Sequence, residues 1–508
     1  MMIVLTGQDL TIDSFIRAVK HHEEVKISED SIEKVIRASD FVARVVEDEK
    51  PIYGINTGFG KLSDVPINKC DVAVLQKNLL MSHACGVGKP FNKEIVRGMM
   101  LLRVNALIKG YSGIRLETLE LLLELLNKDV TPVVFEKGSL GASGDLAPLS
   151  HMSLPLIGLG EVHYQGVRMD AKEGLSKAGI TPLEALYAKE GLSLINGTQA
   201  MTSVGAMAIY EAEMLLKYAN MSVSSTMEAL RAIIDAFDPR VQELRGHKGQ
   251  INMAKEIREM LNGSSYISLQ GELRTQDAYS IRCTPQVHGA VWDAINFVKE
   301  KVEIEMNAVT DNPIIFIDDE LALSAGNFHG EPMAIPFDYL GIAMSELANI
   351  SERRIERMVN PALNEGLPAF LVKNPGLNSG FMIAQYSAAS LVSENKVLSH
   401  PASVDSIPSS ANQEDHVSMG TIGARKALEI IRNARKVIAI EMMTAMQAID
   451  LREGHTLGKQ TKKVYDKVRK SIPFIENDTV MYHHIHRMDD LLKDETFLKD
   501  LLLEGESV

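Results

Sequence analysis

Cysteine is nearly absent. The chain has three, Cys70, Cys85 and Cys283, too few and too scattered for a disulfide framework, which points to a reducing compartment. Aromatic residues make up 5%, with a single Trp against 25 methionines, a balance that helices tolerate better than sheets do. Positive charge is in deficit. The 53 Lys and Arg against 67 Asp and Glu leave a formal charge of −14, which argues against nucleic acid or an anionic membrane as a partner. Nowhere is there an uninterrupted apolar run of the roughly 20 residues that a membrane helix needs. The opening Met1–Leu5 is too short an apolar stretch for a signal peptide. Repeats and low-complexity linkers are missing too. What remains is the expectation of a soluble cytoplasmic protein, whose 508 residues suffice for two or three domains.

Proline is missing from Leu183 to Asp238 and from Ser409 to Ser471. The first stretch, with small residues at Ala200, Gly205, Ala206 and Ala208 among Met and Leu, reads as one long, closely packed helix. Val417 to Ile449 reads as another, about 50 Å long at 1.5 Å per residue. Further helices are expected from Pro336 to just before Pro361 and from Ser379 to Ser399. Helices apolar around much of their circumference need neighbours on several sides, so a bundle is expected, shared between subunits. Nearer the start, Ser28 caps a helix over 28–48 with Ile32, Val35, Ile36, Val42, Ala43 and Val46 on one face. Helices near Val72 to Gly86, Asn92 to Gly110 and Leu116 to Leu126 follow, then a hairpin over Val162–Met169. The leucine-rich, acidic 490s and 500s read as a solvated last helix.

The chemistry centres on Gly138-Ser139-Leu140-Gly141-Ala142-Ser143-Gly144-Asp145-Leu146-Ala147-Pro148-Leu149-Ser150-His151. Small residues let a backbone fold back on itself where larger ones clash. Bent hard enough, this loop brings the Gly144 amide nitrogen against the Ala142 carbonyl carbon. Amide resonance normally makes that nitrogen a poor nucleophile, and twisting weakens the resonance at a cost in strain. Ring closure with loss of two waters, one from the ring carbonyl and one from the Ser143 side chain, leaves a ring with an exocyclic methylidene. That is an electrophile, which no standard side chain supplies. Taken alone, Ala-Ser-Gly is a common turn. Nor is the segment the G-x-S-x-G elbow of hydrolases, because Asp145 stands at the last glycine position.

The whole string resembles, residue for residue, the loop of the aromatic amino-acid ammonia-lyases that carry a methylidene-imidazolone, and the likeness runs over essentially the full chain. It implies a mainly α fold. Residues 1–195 would form an N-terminal domain carrying the loop, and 196–508 a long-helix bundle, fumarase/aspartase-like, with a C-terminal helical region. It also implies a homotetramer whose sites draw on several subunits. The implied cofactor is 4-methylidene-imidazol-5-one, formed autocatalytically from Ala142, Ser143 and Gly144, with no external cofactor and no metal. Ser82-His83 and Gln413-Glu414-Asp415-His416 have the forms of the histidine-acting members. Hence the expected reaction is elimination of ammonia from L-histidine to urocanate, the opening step of histidine breakdown.

Residue by residue, the resemblance makes Tyr53, in the glycine-rich Tyr53–Gly60 stretch, and Tyr279 the candidates for proton transfer. A phenol ordinarily holds its proton to about pH 10, so whichever acts as base needs neighbours that favour its anion. Arg282 offers a planar fork for the substrate carboxylate. Gln276, Tyr279 and Arg282 stand three apart and would share a face of a helical turn. Asn196 contacts the ring or the carboxylate, and Phe328, in Gly326-Asn327-Phe328-His329-Gly330, lines the pocket. His83 and Glu414 take the imidazole end, where a neutral His and a carboxylate can match donor and acceptor nitrogens. Without the resemblance these are a helix surface, a helix cap, a loop and a solvated helix start. Two other readings stay open: lyase or aminomutase chemistry on tyrosine or phenylalanine, and a non-catalytic helical scaffold with an uncyclised loop. His483-His484-Ile485-His486 has some metal-ligand character but no accompanying Cys or carboxylate pattern.

Overall fold

Capping side chains start the N-terminal helices where the sequence writes them. Ser28 accepts from the Ser31 N–H to open Glu29–Glu47, and Asn92 accepts from Ile95 to open Lys93–Leu107. The computed structural model describes residues 2–48, 52, 54–58, 60–62 and 65–502. Tyr53 therefore lies outside the described residues. Two compact units appear, neither continuous in sequence. Residues 1–208, 299–338 and 401–425 form one, and 209–298, 339–400 and 426–508 the other. A single boundary at 195 does not divide the chain this way, because later segments return to the first unit.

In the first unit the Lys93–Leu107 helix is buried on every residue from Ile95 to Leu107. A helix enclosed all round has no water for its charged side chains, so they must find partners inside. Arg97 gives hydrogen bonds to the carbonyls of Ala18, Val19 and Leu126 and to Asp129 at 2.8–3.1 Å. Small sheets flank this helix. Ile3–Leu5 pairs parallel with Val25–Ile27, and the hairpin Glu161–Tyr164 and Val167–Asp170 is extended by Thr131–Pro132. Its turn residues Gln165 and Gly166 have φ of 47° and 80°, as a tight hairpin requires. In Glu29–Glu47 the buried face is Ser31, Val35, Ala38, Phe41, Val42 and Val45, whereas Ile36 is exposed. The expected stripe is thus rotated toward Phe41.

The second unit has no strand among its described residues. Its core holds a buried Arg354–Glu441 pair at 2.6 Å, whose carboxylate also accepts from Thr226 and Ser351 at 2.8 and 2.6 Å. Such a pair is tolerated because its remaining lone pairs are satisfied. The long helices run Gln199–Ala229, Thr284–Met306, Glu331–Val359 and Gly420–Asp450. The helix expected from Leu183 begins only at Gln199, after a short Glu190–Ile195 helix and a break at Asn196-Gly197. The one expected at Pro336 begins at Glu331 and carries Pro336 inside it. Near the C-terminus the Glu495–Lys499 helix is not solvated throughout, since Phe497 and Leu498 are buried. Among the described residues no helix is long and apolar enough to cross a membrane.

Candidate active site

The Ala-Ser-Gly loop is confined on both sides. Gly141, Ser143 and Gly144 have φ of 75°, 55° and 80°, and Gly141 pairs with Gly144 across the bend. Ser143 is thus a non-glycine residue in the left-handed region, a strain of order 1–3 kcal/mol that surrounding contacts must hold. A Cβ on Gly141 would stand 2.3 Å from Ser418 Oγ, and one on Gly144 2.3 Å from the Gly197 carbonyl oxygen. Ala142 packs on Val417 and Met419. Beyond the bend the Asp145 N–H donates to Gly197 O at 2.7 Å. The buried Asp145 carboxylate accepts from Ser139 Oγ at 2.7 Å, from the Met201 N–H at 2.8 Å and from Thr421 Oγ1. Burial pushes this carboxyl above the usual range, against those donors. Gly144→Ala should therefore destabilise the protein by about 2–5 kcal/mol, from ~1–2 for a left-handed side chain and ~1–3 for overpacking. Urea unfolding would read it, and an unchanged midpoint would mean the loop is not confined.

Ser143 opens into a cavity of about 490 Å³ that is also lined by Asn196, His83, Ser82, Glu414 and, among apolar residues, Leu192. Ser143 Oγ donates to Glu414 Oε1 at 3.1 Å, and Glu414 Oε2 accepts from Ser409 Oγ at 3.2 Å. Three consecutive left-handed residues, Ser410, Ala411 and Asn412 with φ of 51°, 52° and 67°, make the turn that aims Glu414. Backbone hydrogen bonds between Ser409 and Glu414 close it. Asn196 Nδ2 donates to the Ser143 carbonyl at 2.8 Å, while its Oδ1 is buried without a partner among the described residues. Such an orphaned acceptor is costly unless something else fills it. His83 ends the Val72–His83 helix, its Nδ1 3.0 Å from Ser82 Oγ. Burial pushes its imidazole below the ordinary value, although a hydrogen bond to the Leu79 backbone and the Glu414 charge pull the other way, and this favours the neutral ring.

The remaining expected site residues are placed differently. Tyr279 and Arg282 share the short Tyr279–Arg282 helix of the second unit, with the guanidinium 4.5 Å from the Tyr279 ring centroid. Arg282 Nε is buried without a partner among the described residues. Gln276 is exposed in a non-helical stretch before that helix, so the shared helical face expected from the spacing does not exist. Phe328 is half-buried in a turn preceding Glu331–Val359 and does not line the cavity around Ser143. Among the described residues no group of three His, Cys, Asp or Glu could hold a metal ion, and His483, His484 and His486 lie on the Met481–Leu491 helix. Sequence reasoning passed over Arg103 and Gly197. The available signal was an arginine inside the apolar run Met99-Met100-Leu101-Leu102-Arg103-Val104.

Residues 10–470 match the family described as aromatic amino acid lyase. The chain belongs to that family. Histidine ammonia-lyase of Alkaliphilus oremlandii is 58% identical over 490 residues, 96% of each chain. The crystal structure of histidine ammonia-lyase from Trypanosoma cruzi superposes with a TM-score of 0.91 at 42% identity, covering 99% of this chain and 95% of that one. Tyrosine aminomutase from Streptomyces globisporus superposes with a TM-score of 0.94 at 36% identity, covering 98% of both. The aromatic amino acid lyase fold thus serves proteins with different activities, and it is the site that sets the reaction.

Proposed function

We propose that this aromatic amino acid lyase eliminates ammonia from L-histidine to give urocanate. The observation that carries the reading is one cavity holding Ser143, a neutral His83 and the Glu414 carboxylate, the last hydrogen-bonded to Ser143 itself. The loop fits a 4-methylidene-imidazol-5-one made from Ala142, Ser143 and Gly144: only glycine fits at 141 and 144, and Asn196 already grips the Ser143 carbonyl. That group would supply an electrophile that captures the substrate amine or its ring and so turns ammonia into a workable leaving group.

The chain's own residues do the rest. His83 and Glu414 match the two imidazole nitrogens, one as donor or acceptor and the other as acceptor. Arg282 would take the substrate carboxylate through its fork, where its buried Nε lacks a partner among the described residues, with Gln276 assisting. Tyr53 and Tyr279 are the groups proposed to carry the proton. Phe328 would border the substrate. The residues named from the second unit would meet the loop in a homotetramer, in which closed symmetry also covers apolar helix surface such as Ile383, Tyr386 and Val397. The proposed setting is the cytoplasm.

The test is to offer the purified protein L-histidine, L-tyrosine and L-phenylalanine separately and identify each product. Urocanate and ammonia from histidine alone are expected. A cinnamate or a β-amino acid from phenylalanine or tyrosine, with histidine untouched, would replace this reading with the aminomutase or phenylalanine/tyrosine lyase one.

A further inference from the structure

Behind the Ser143 loop stands a side chain that the reaction does not use. Arg103 is fully buried in the Lys93–Leu107 helix. Its Nε donates to Ser193 O at 2.8 Å, as does Nη2 to the same oxygen, and Nη1 donates to Gln199 Oε1 at 2.8 Å and Thr310 O at 3.1 Å. No carboxylate is among these partners. Burial pulls the guanidinium down to about 10, with Asp311 opposing, and it remains charged at neutral pH. The fork thus ties the end of Glu190–Ile195, the start of Gln199–Ala229 and the 310 segment into one rigid unit.

What that unit presses on is Gly197. A Cβ there would stand 2.3 Å from Arg103 Nη1, 2.3 Å from Gln199 Oε1 and 2.6 Å from Thr310 O. On its other side Gly197 meets Gly144, whose own Cβ would stand 2.3, 2.7 and 2.9 Å from the Gly197 oxygen, carbonyl carbon and nitrogen. The two glycines are bridged, and the Asp145 N–H is bonded to Gly197 O. Guanidinium, Gly197 and Gly144 therefore form a column with no side-chain slack, while Gly141 and Ala142 are blocked on the far side by Ser418, Val417 and Met419.

We infer that Arg103 is a positioning residue for ring closure: through Gly197 it keeps Gly144 from backing away from Ala142. The inference rests on the reading that the loop cyclises. In that step the Gly144 nitrogen bonds to the Ala142 carbonyl carbon. The Ala142 oxygen then leaves as water with the protons of the Gly144 and Ser143 amide nitrogens. A second water takes the Ser143 hydroxyl and its Cα proton. Arg103 is neither acid nor base in this sequence. Its planar fork supplies rigidity that a lysine, with one flexible ammonium, does not reproduce.

The experiment is Arg103→Lys in the full chain, with intact mass followed from synthesis onward and thermal unfolding recorded alongside. The expected result is a folded protein whose dehydration runs about 10²-fold slower, the scale of an ångström-sized misplacement, leaving chains without water loss early in the time course. A Leu119→Ala control opens a cavity in the same unit away from the loop and should lose both waters at the wild-type rate. Full dehydration of Arg103→Lys at the wild-type rate, or equal slowing in the control at matched stability, would overturn the inference. If Arg103→Lys does not fold, Gln199→Ala decides: it removes one of the two acceptors that hold Nη1, and slowed dehydration supports the role whereas unchanged dehydration rejects it. A wild-type chain that never loses water rejects cyclisation itself, and the role of Arg103 with it.

Discussion

Ser143→Ala should bring turnover to background, a loss on the order of 10³-fold or more, or about 4 kcal/mol of barrier at least. The variant has no hydroxyl to eliminate, so no methylidene can form whether or not the backbone closes. The fold should be nearly untouched. Alanine is no worse than serine at the left-handed φ of 55° that residue 143 holds, and in the mature parent the Ser143 hydroxyl that bonds Glu414 has already left as water. Circular dichroism and thermal unfolding should therefore match the parent while ammonia release disappears. A variant keeping a tenth of the parent rate would show that the electrophile does not drive the chemistry.

Phenylalanine should be a poorer substrate than histidine by a factor of roughly 10⁴ in kcat/KM, the discrimination typical of a site built to hydrogen-bond its ligand. An apolar ring in the Ser143 cavity would leave the Glu414 carboxylate and the His83 imidazole short of partners. Burial lowers the His83 imidazole from its ordinary value, which favours a neutral ring toward the substrate. Glu414→Ala should narrow the histidine-to-phenylalanine ratio by about 10- to 10²-fold, the ~1.5–3 kcal/mol of a hydrogen bond to a charged group. Specificity constants for both amino acids, measured on both proteins, check this. A parent enzyme that handles the two alike would remove the roles given to His83 and Glu414.

Much of this site could be read from the chain because its parts are local. Ala142-Ser143-Gly144 with its flanks is contiguous, and the caps Ser28 and Asn92 act within three residues of themselves. Glycine at 141 and 144 announced a bend, and the bend has the positive φ values that demand glycine. What escaped depends on contacts distant in sequence. The role of Gly197 arises only when residue 144 is laid on it and Arg103 comes from another helix behind it. The spacing of Gln276, Tyr279 and Arg282 suggested one helical face, yet the helix starts at Tyr279, since nothing in a three-residue period fixes where a helix begins. In Glu29–Glu47 the buried stripe follows Phe41, whose bulk outweighs Ile36 in the pattern. The two-unit division was illegible for a similar reason: residues 299–338 and 401–425 return to the first unit through tertiary contacts, with no linker to mark it.

The central claim is that Ala142, Ser143 and Gly144 become an electrophile, and the mass of the intact chain tests it most directly. The purified protein should be lighter than the unmodified 508-residue sequence by two waters, with the whole deficit in the proteolytic peptide that contains residues 142–144. A mass equal to that of the unmodified sequence, in protein that releases ammonia from histidine, would contradict the account at its root.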